Sequence, residues 1–154
     1  MDTAEKAEAL AKIALFANLN ADGVKRLANV ATERSFDAGA EIVKEGEGGI
    51  AMFVIVSGNV EAVKKDNGNE VHLADLGAGS FFGEMALFEN FPRSATIRAK
   101  SAVTCLALTE WEVQAELRTS PEIAVAMLKV FARRIRAVDE ELAALKGDAA
   151  NVTA

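Results

Sequence analysis

The sequence predicts an α+β protein, mainly β, in which an antiparallel β jelly roll or barrel lies between N-terminal helices and a long C-terminal helix. Two observations predict this fold class. Apolar residues recur at helical spacing at both ends of the chain. Between them, short β-rich runs such as AMFVIVSG and EVHLADLG are separated by glycine, asparagine and aspartate turns. Closely spaced strands with such turns are typical of a closed antiparallel β structure.

The length of the chain suits a single domain. Its 154 residues can enclose one sizeable core, and a content of 51% hydrophobic and 26% charged residues is that of a folded globular protein. We divide residues 1–154 into four zones. These are N-terminal helices at 1–34, a β-roll at 35–108, C-terminal helices at 109–147 and a tail at 148–154.

Two helices are predicted in the N-terminal zone. The first has Leu10 and Ile13 at helical spacing. The second begins near Asn20 or Asp22, either of which suits an N-cap. The residues of this helix that we expect to face inward are Val24, Leu27 and Val30.

The β-roll contains one strong hairpin signal. Asn67-Gly68, within KDNGNE, is a dipeptide favoured in two-residue hairpin turns, where both residues need a positive φ. The strands on either side of it should therefore be neighbours in one sheet.

The last helix is predicted over residues 121–146. Ser120 followed by Pro121 fits an N-cap with proline at the first helical position, and Gly147 is the predicted helix end. A heptad seam with alternating spacings of three and four follows the helix. Its members are Leu128, Phe131, Ile135, Val138, Leu142 and Leu145. Such a seam can cover the barrel as a lid, or it can pair with a second copy of the chain in a homodimer through the C-terminal helix.

Composition argues against several classes of function. A net charge of −6 argues against nucleic-acid binding, which depends on basic residues. No apolar run approaches the roughly 18 residues of a membrane span, and the N-terminus lacks a signal-peptide pattern, so we expect a cytoplasmic protein. With Cys105 and His72 as the single residues of their types, an iron–sulfur cluster and a histidine-rich metal site are both excluded. No nucleophile–base pair is visible either, so no catalytic residue and no enzyme activity are predicted.

One segment, FFGEMALFENFPRSATI at residues 81–97, combines features of an anion site. Gly83 permits close backbone approach, and EMALF after it can form a short helix whose free N–H groups attract an anion. Arg93 adds a positive charge and a planar fork of donors suited to phosphate oxygens. Glu84, when ionised, only accepts hydrogen bonds, and hydroxyl groups are its natural partners. An anion site beside a hydroxyl acceptor describes a phosphorylated sugar.

FGEMALFENFPRSAT resembles the phosphate-binding cassette of the cyclic nucleotide-binding domain family, which includes catabolite-activator-type regulators, regulatory subunits of cAMP-dependent protein kinase and nucleotide-gated channels. FDAGAEIVKEGEGGIAMFVIVSGNVEAV and LADLGAGSFFGE are similar to the same family's barrel, so the resemblance covers most of the chain. It places the cassette at residues 82–96. It implies a stand-alone, non-enzymatic regulatory domain without a cofactor, whose ligand is cAMP or cGMP.

The resemblance also implies which residues bind the nucleotide. Arg93 would pair with the cyclic phosphate, and Glu84 would accept the ribose 2′-hydroxyl. The complete implied set of ligand-binding residues is Gly83, Glu84, Met85, Ala86, Arg93, Ser94 and Ala95. A weaker set from the barrel wall and the last helix is Ala62, Leu73, Phe82 and Val138, with Arg134 and Asp139 as further candidates to cover the base. No metal ligand is implied.

Three alternatives stay open from the sequence. In the family, threonine after the arginine tends to accompany cGMP selectivity and alanine cAMP selectivity, so Ser94 lies between them, and we favour cAMP. The plainer interpretation of Glu84 and Arg93 is a structural ion pair or a pair of solvated surface charges. A protein-interaction adaptor with the same fold and no bound nucleotide is the alternative function. We otherwise expect a sensor that relays nucleotide occupancy through its terminal helices to an unidentified effector protein.

Overall fold

The computed structural model of the protein describes the backbone of residues 1–153 and the side chains of residues 1–147. Within this range the α-helices are α1 (Thr3–Ala11), α2 (Ala21–Val30), α3 (Glu110–Thr119) and α4 (Pro121–Thr153), and 3₁₀ helices lie at Ala14–Phe16 and Glu84–Leu87. The strands are β1 (Thr32–Phe36), β2 (Glu41–Val43), β3 (Ala51–Ser57), β4 (Val60–Asp66), β5 (Asn69–Leu76), β6 (Phe81–Phe82), β7 (Thr96–Ala99) and β8 (Val103–Thr109).

The strands form two antiparallel four-stranded sheets, which confirms the predicted fold class. One sheet has the order β1-β8-β3-β6, and the other has the order β2-β7-β4-β5. The β4–β5 hairpin closes at Asn67 and Gly68, whose φ angles are 52° and 81°. The predicted hairpin turn is therefore present, and it pairs Asp66 with Asn69.

β3 separates two hydrophobic clusters because successive side chains of a strand point to opposite faces. Met52 and Val54 pack with the helices in the first cluster, whereas Phe53 and Ile55 belong to the second, inside the β-roll. Cys105 of β8 also lies in the second cluster and is fully buried, as an apolar filler would be. Leu87 of the cassette segment belongs to the first cluster and Phe82 to the second, so this segment packs against both.

The N-terminal helices follow the prediction in part. Asn20 caps α2, since its side chain accepts the Gly23 N–H at 2.8 Å, and Val24 and Leu27 are buried. Val30 is only partly buried. β1 begins at Thr32 and β8 ends at Thr109, so the β structure starts and ends slightly outside the predicted 35–108.

The end of α4 differs from the prediction. The helix begins at Pro121 as expected, but Gly147 does not end it, and the backbone stays helical to Thr153. Gly147 is not among the glycines with positive φ, so it lacks the left-handed conformation that a glycine helix end requires. A glycine inside a helix costs only about 1 kcal/mol relative to alanine. The predicted tail at 148–154 is therefore wrong for the backbone to Thr153, and its side chains and Ala154 lie outside the described residues.

None of the helices in the described range has the length and apolar character that a membrane crossing requires.

Candidate functional site

The cassette begins at a strand end and a left-handed glycine. β6 pairs Phe82 with Phe53 of β3, and the two rings stack with centroids 5.2 Å apart. Gly83 follows with φ of 79° and is the N-cap of the 3₁₀ helix Glu84–Leu87. A Cβ at Gly83 would lie 2.7 Å from Nη1 of Arg93 and 3.1 Å from the Ala51 carbonyl oxygen. Both the backbone angle and the lack of space therefore call for glycine here.

The C-terminal part of the cassette is held by the loop between β2 and β3. The Arg93 N–H donates to the Glu47 carbonyl at 2.9 Å, and the Gly46 N–H donates to the Arg93 carbonyl at 2.9 Å. Further along, the Glu45 N–H donates to the Thr96 hydroxyl at 3.0 Å. These bonds place the Arg93 backbone against a loop more than forty residues away in sequence.

The Arg93 side chain turns toward backbone carbonyl groups. Its Nη2 donates to the Ala51 carbonyl oxygen at 2.7 Å, and its Nη1 makes a longer bond of 3.4 Å to that of Gly83. Burial lowers the pKa of Arg93, and the nearby Glu84 carboxylate opposes this effect. Arginine stays protonated at any physiological pH, so the site contains a partly desolvated positive charge.

Glu84 pairs with a helix, not with Arg93. Its Oε1 accepts a hydrogen bond from Nη1 of Arg134 on α4 at 2.6 Å. The Arg134 guanidinium carbon also lies 4.4 Å from the centre of the Phe81 ring, within cation–π range. Among the described ion pairs none joins Glu84 to Arg93, so the plain structural ion pair between these two residues is absent.

Most of the residues predicted to bind the ligand surround one cavity. Its volume is about 320 Å³, and the predicted residues that line it are Gly83, Glu84, Met85, Ala86, Arg93 and Ser94. Ala95 directly precedes β7 and does not line this cavity. The structure therefore brings both charged residues of the prediction to the wall of the same cavity.

A second cavity of about 440 Å³ lies between the cassette and α4. Glu84 lines both cavities, and α4 contributes Arg134, Val138 and Asp139 to this one. Phe88 of the cassette meets Phe131 of α4 edge-to-face, with ring centroids 5.9 Å apart. All three residues that the sequence proposed from the last helix are thus beside the cassette.

Three residues of the weaker prediction line neither of these cavities. Ala62 and Phe82 are buried in the cluster inside the roll, at 9% and 5% exposure. Leu73 is 53% exposed on β5, beside the register shift between β4 and β5. Their side chains are committed to the core or to solvent, which a strand pattern alone cannot separate from a ligand-facing wall.

Two contacts of Arg93 were not expected from sequence. Its strongest acceptor is the backbone carbonyl of Ala51, and its guanidinium lies against Gly49. GEGGIA at residues 46–51 is visibly rich in glycine. Every residue type carries the same backbone carbonyl, however, so no residue pattern indicates which carbonyl an arginine will reach.

One cluster of potential metal ligands lies away from these cavities, on the β4–β5 surface. Oxygen or nitrogen atoms of Glu61, His72 and Asp75 lie within 4.8 Å of one another. Cationic groups already balance them, because Lys100 is 3.1 Å from Asp75 and Arg98 is 3.6 Å from Glu61. Nε2 of His72 lies 3.0 Å from Oδ1 of Asp75, within hydrogen-bonding distance. We assign no metal to this cluster.

The chain is similar to known proteins over most of its length. Residues 33–120 match the family model described as cyclic nucleotide-binding domain. A cyclic nucleotide-gated potassium channel from Rhizobium etli is 38% identical over 125 residues, which cover 81% of this chain and 34% of the channel. The chain thus spans about a third of the length of that relative.

Two solved structures are similar over most of the fold. The catabolite activator protein of Thermus thermophilus superposes with a TM-score of 0.78 at 33% identity, over 86% of this chain and 62% of that one. The regulatory domain of Toxoplasma gondii PKA, crystallised with cAMP, superposes with a TM-score of 0.69 at 26% identity, over 73% of this chain and 43% of that one. The family model covers more than half of the chain, and the chain belongs to the cyclic nucleotide-binding domain family.

Proposed function

We propose that the protein is a non-enzymatic sensor that binds cAMP in preference to cGMP and reports its occupancy through α4. One observation carries the proposal. Arg93 and Glu84 line the same cavity without pairing with each other, so a cationic donor and an anionic acceptor are both available to one ligand. A cyclic nucleotide needs both groups, because its phosphate is anionic and its ribose hydroxyl is a donor.

In this proposal Arg93 binds the cyclic phosphate. Desolvation of the guanidinium strengthens its attraction for an anion, since charges interact more strongly away from bulk water. Ser94, which lines the same cavity, adds a hydroxyl group beside the phosphate. A charged hydrogen bond is worth about 1.5 to 3 kcal/mol, so removing Arg93 should weaken binding roughly tenfold to a hundredfold.

Glu84 links the ribose to the helix. A carboxylate accepts several hydrogen bonds, and one oxygen of Glu84 is engaged by Arg134. A ribose hydroxyl on the same carboxylate therefore changes the contact that holds α4 against the cassette. A ligand shifts a conformational equilibrium only through contacts that differ between the two states, and this ion pair is such a contact.

The base has a place between the cassette and α4. Phe88 and Val138 line that cavity and supply apolar surface for a purine, and Asp139 adds a carboxylate. We propose that Asp139 accepts the exocyclic amine of adenine. The PKA regulatory domain of Toxoplasma gondii, similar in fold, was crystallised with cAMP, which supports cAMP as the ligand to test first.

α4 also supports self-association. Leu128, Ile135, Val138, Leu142 and Leu145 of the heptad seam are each between 47% and 67% exposed. The seam therefore does not cover the barrel as a lid, apart from Phe131, which meets Phe88. We propose a homodimer in which two copies of α4 pair along this seam, because a coiled coil buries apolar residues of that spacing. Light scattering tests the homodimer, since Leu142→Lys should have a lower molar mass than the wild-type protein. Equal molar masses of the two proteins would refute it.

Calorimetric titration with cAMP and cGMP tests the main proposal. Wild-type protein should bind one nucleotide per chain, and Arg93→Ala should bind it at least about tenfold more weakly. Arg118→Ala is a matched control, since Arg118 is an exposed arginine on α3 that lines neither cavity. Asp139→Ala should reduce the preference for cAMP over cGMP.

The opposite result favours the adaptor. If neither nucleotide gives heat or a thermal shift with folded wild-type protein, the cassette is not a nucleotide site. The exposed side chains of Met85, Phe88 and Phe91 would then be the surface on which to search for a protein partner. In both cases the effector is unidentified, and the cytoplasm is the compartment we propose.

A further inference from the structure

Gly49, in the loop between β2 and β3, lies directly against the guanidinium of Arg93. A Cβ added at Gly49 would lie 2.5 Å from Nη2, 2.6 Å from Nε and 2.8 Å from Cζ of Arg93. Real Cβ atoms do not approach other heavy atoms this closely. The guanidinium therefore occupies the volume that any other residue at position 49 would need for its side chain.

The backbone gives no separate reason for glycine at this position. Gly49 is not among the glycines with positive φ, so its backbone angles do not require glycine. The adjacent Gly48 has an ordinary φ as well, and a Cβ added there meets no atom within 4 Å. Two neighbouring glycines of one loop thus differ in whether an added side chain would meet Arg93.

The docked guanidinium still has donors to offer. A guanidinium has five N–H groups, and the carbonyls of Ala51 and Gly83 account for two of them. The three remaining N–H groups suffice to donate hydrogen bonds to two phosphate oxygens. The carbonyl contacts and the space at Gly49 hold the fork in one orientation before a ligand arrives, which lowers the conformational cost of binding.

We propose that Gly49 is a positioning residue of the nucleotide site, whose missing side chain lets Arg93 dock in the orientation that receives the cyclic phosphate. This inference rests on the proposed function. It assigns a role to a residue that would touch the ligand only through Arg93.

An added methyl group at position 49 should move Arg93 and leave the loop in place. The guanidinium is the far end of a flexible side chain, so it can shift at little cost. The loop backbone is tied by the bonds between Gly46, Glu47 and Arg93, and by the Glu110 N–H, which donates to the Ile50 carbonyl at 2.7 Å. Gly49→Ala should therefore fold normally while losing the hydrogen bond from Arg93 to Ala51.

Titration of the wild-type protein, Gly49→Ala and Gly48→Ala with cAMP tests the proposal. Gly49→Ala should bind about tenfold more weakly, because one charged hydrogen bond and the orientation of the fork are lost. Gly48→Ala should bind as wild type, and all three proteins should unfold at the same temperature. Equal affinities of the two variants would overturn the proposal.

A double-mutant cycle separates positioning from a general effect on the loop. In an Arg93→Ala background, Gly49→Ala should cause no further loss, since the residue through which it acts is gone. An equal loss in both backgrounds would refute positioning, because Gly49 would then act by another route.

An NMR measurement without nucleotide keeps the inference separate from the proposed function. The Arg93 Nε–H resonance, assigned by its loss in Arg93→Lys, should move in Gly49→Ala and stay in place in Gly48→Ala. If wild-type protein binds no nucleotide, the proposed function fails and the nucleotide role of Gly49 with it. If wild-type protein binds cAMP but the resonance is unmoved in Gly49→Ala, only the positioning role fails.

Discussion

The contact between Arg134 and Glu84 should control how firmly α4 is held against the cassette. From residue 132 to residue 147 every side chain of α4 is exposed, so this part of the helix has little packing of its own. Arg134 contributes two interactions there, the 2.6 Å ion pair with Glu84 and the cation–π contact with Phe81. Arg134→Ala removes both and leaves the helical backbone intact.

The size of this stabilisation follows from how far the Arg134–Glu84 ion pair is exposed to water. The Arg134 and Glu84 side chains are 46% and 16% exposed, so the ion pair is partly screened by water. Such a pair contributes up to about 1 kcal/mol, and a cation–π contact at this exposure about 0.5 to 1 kcal/mol. Together they should stabilise the docked helix by about 0.5 to 2 kcal/mol, a factor of roughly 2 to 30 in the opening equilibrium.

Hydrogen exchange of the nucleotide-free protein measures this opening. Amides of residues 84–88, which α4 covers through Arg134, should exchange roughly 2 to 30 times faster in Arg134→Ala. Arg133→Ala and Arg136→Ala are matched controls, since both replace exposed arginines of the same helix for which the structure records no ion pair. Unchanged exchange in Arg134→Ala, or an equal increase in the controls, would refute the role of this contact.

Three further predictions concern the stability of the fold. Burial raises the pKa of the Cys105 thiol from 9.0 to about 11, so the thiol should resist thiol reagents at pH 8 while the protein is folded. The unfolded chain loses the thiol proton at lower pH than the folded protein, so the free energy of unfolding should fall between pH 9 and 11. Urea unfolding should show a fall up to about 3 kcal/mol larger in wild type than in Cys105→Ala. Parallel plots of the free energy of unfolding against pH for the two proteins would contradict this prediction. Asn20→Ala removes the N-cap of α2 and should cost about 1 kcal/mol in the same assay, whereas Asn18→Ala, an exposed residue outside the helices, should cost little. Gly68→Ala should destabilise the hairpin by about 1 kcal/mol because Gly68 has a φ of 81°. The backbone angle is the only cause, since a Cβ at Gly68 meets no atom within 4 Å. An effect as small as that of Gly48→Ala would count against this reason.

Short-range features were predictable because their causes lie within a few residues. Asn20 caps α2 through an N–H three residues away, and Asn67-Gly68 turns a hairpin through its own backbone angles. Pro121 starts α4 for the same kind of reason. Gly147 shows the limit of such signals, because a glycine favours a helix end only when its backbone adopts the left-handed conformation.

The composition of the cassette was predictable, but its partners were not. The sequence by itself determined that Glu84, Arg93 and Gly83 occur together in a segment similar to a known family, and in the structure the three residues line one cavity. The pairing of Glu84 with Arg134 joins residues fifty positions apart. Such a contact depends on where α4 lies, and no local pattern indicates it.

The sequence alone therefore determined the general order of helices, β structure and helices, the starts of α2 and α4, the β4–β5 turn, and the residue types available for a nucleotide. Only the tertiary structure decided which carbonyls hold Arg93, that the Arg93 guanidinium fills the space beside position 49, and which face of α4 remains exposed. The physical reason is the distance along the chain over which each kind of interaction acts. Capping and turn preferences act between neighbours in the chain, whereas packing space and carbonyl acceptors are set by elements that meet only in the folded molecule.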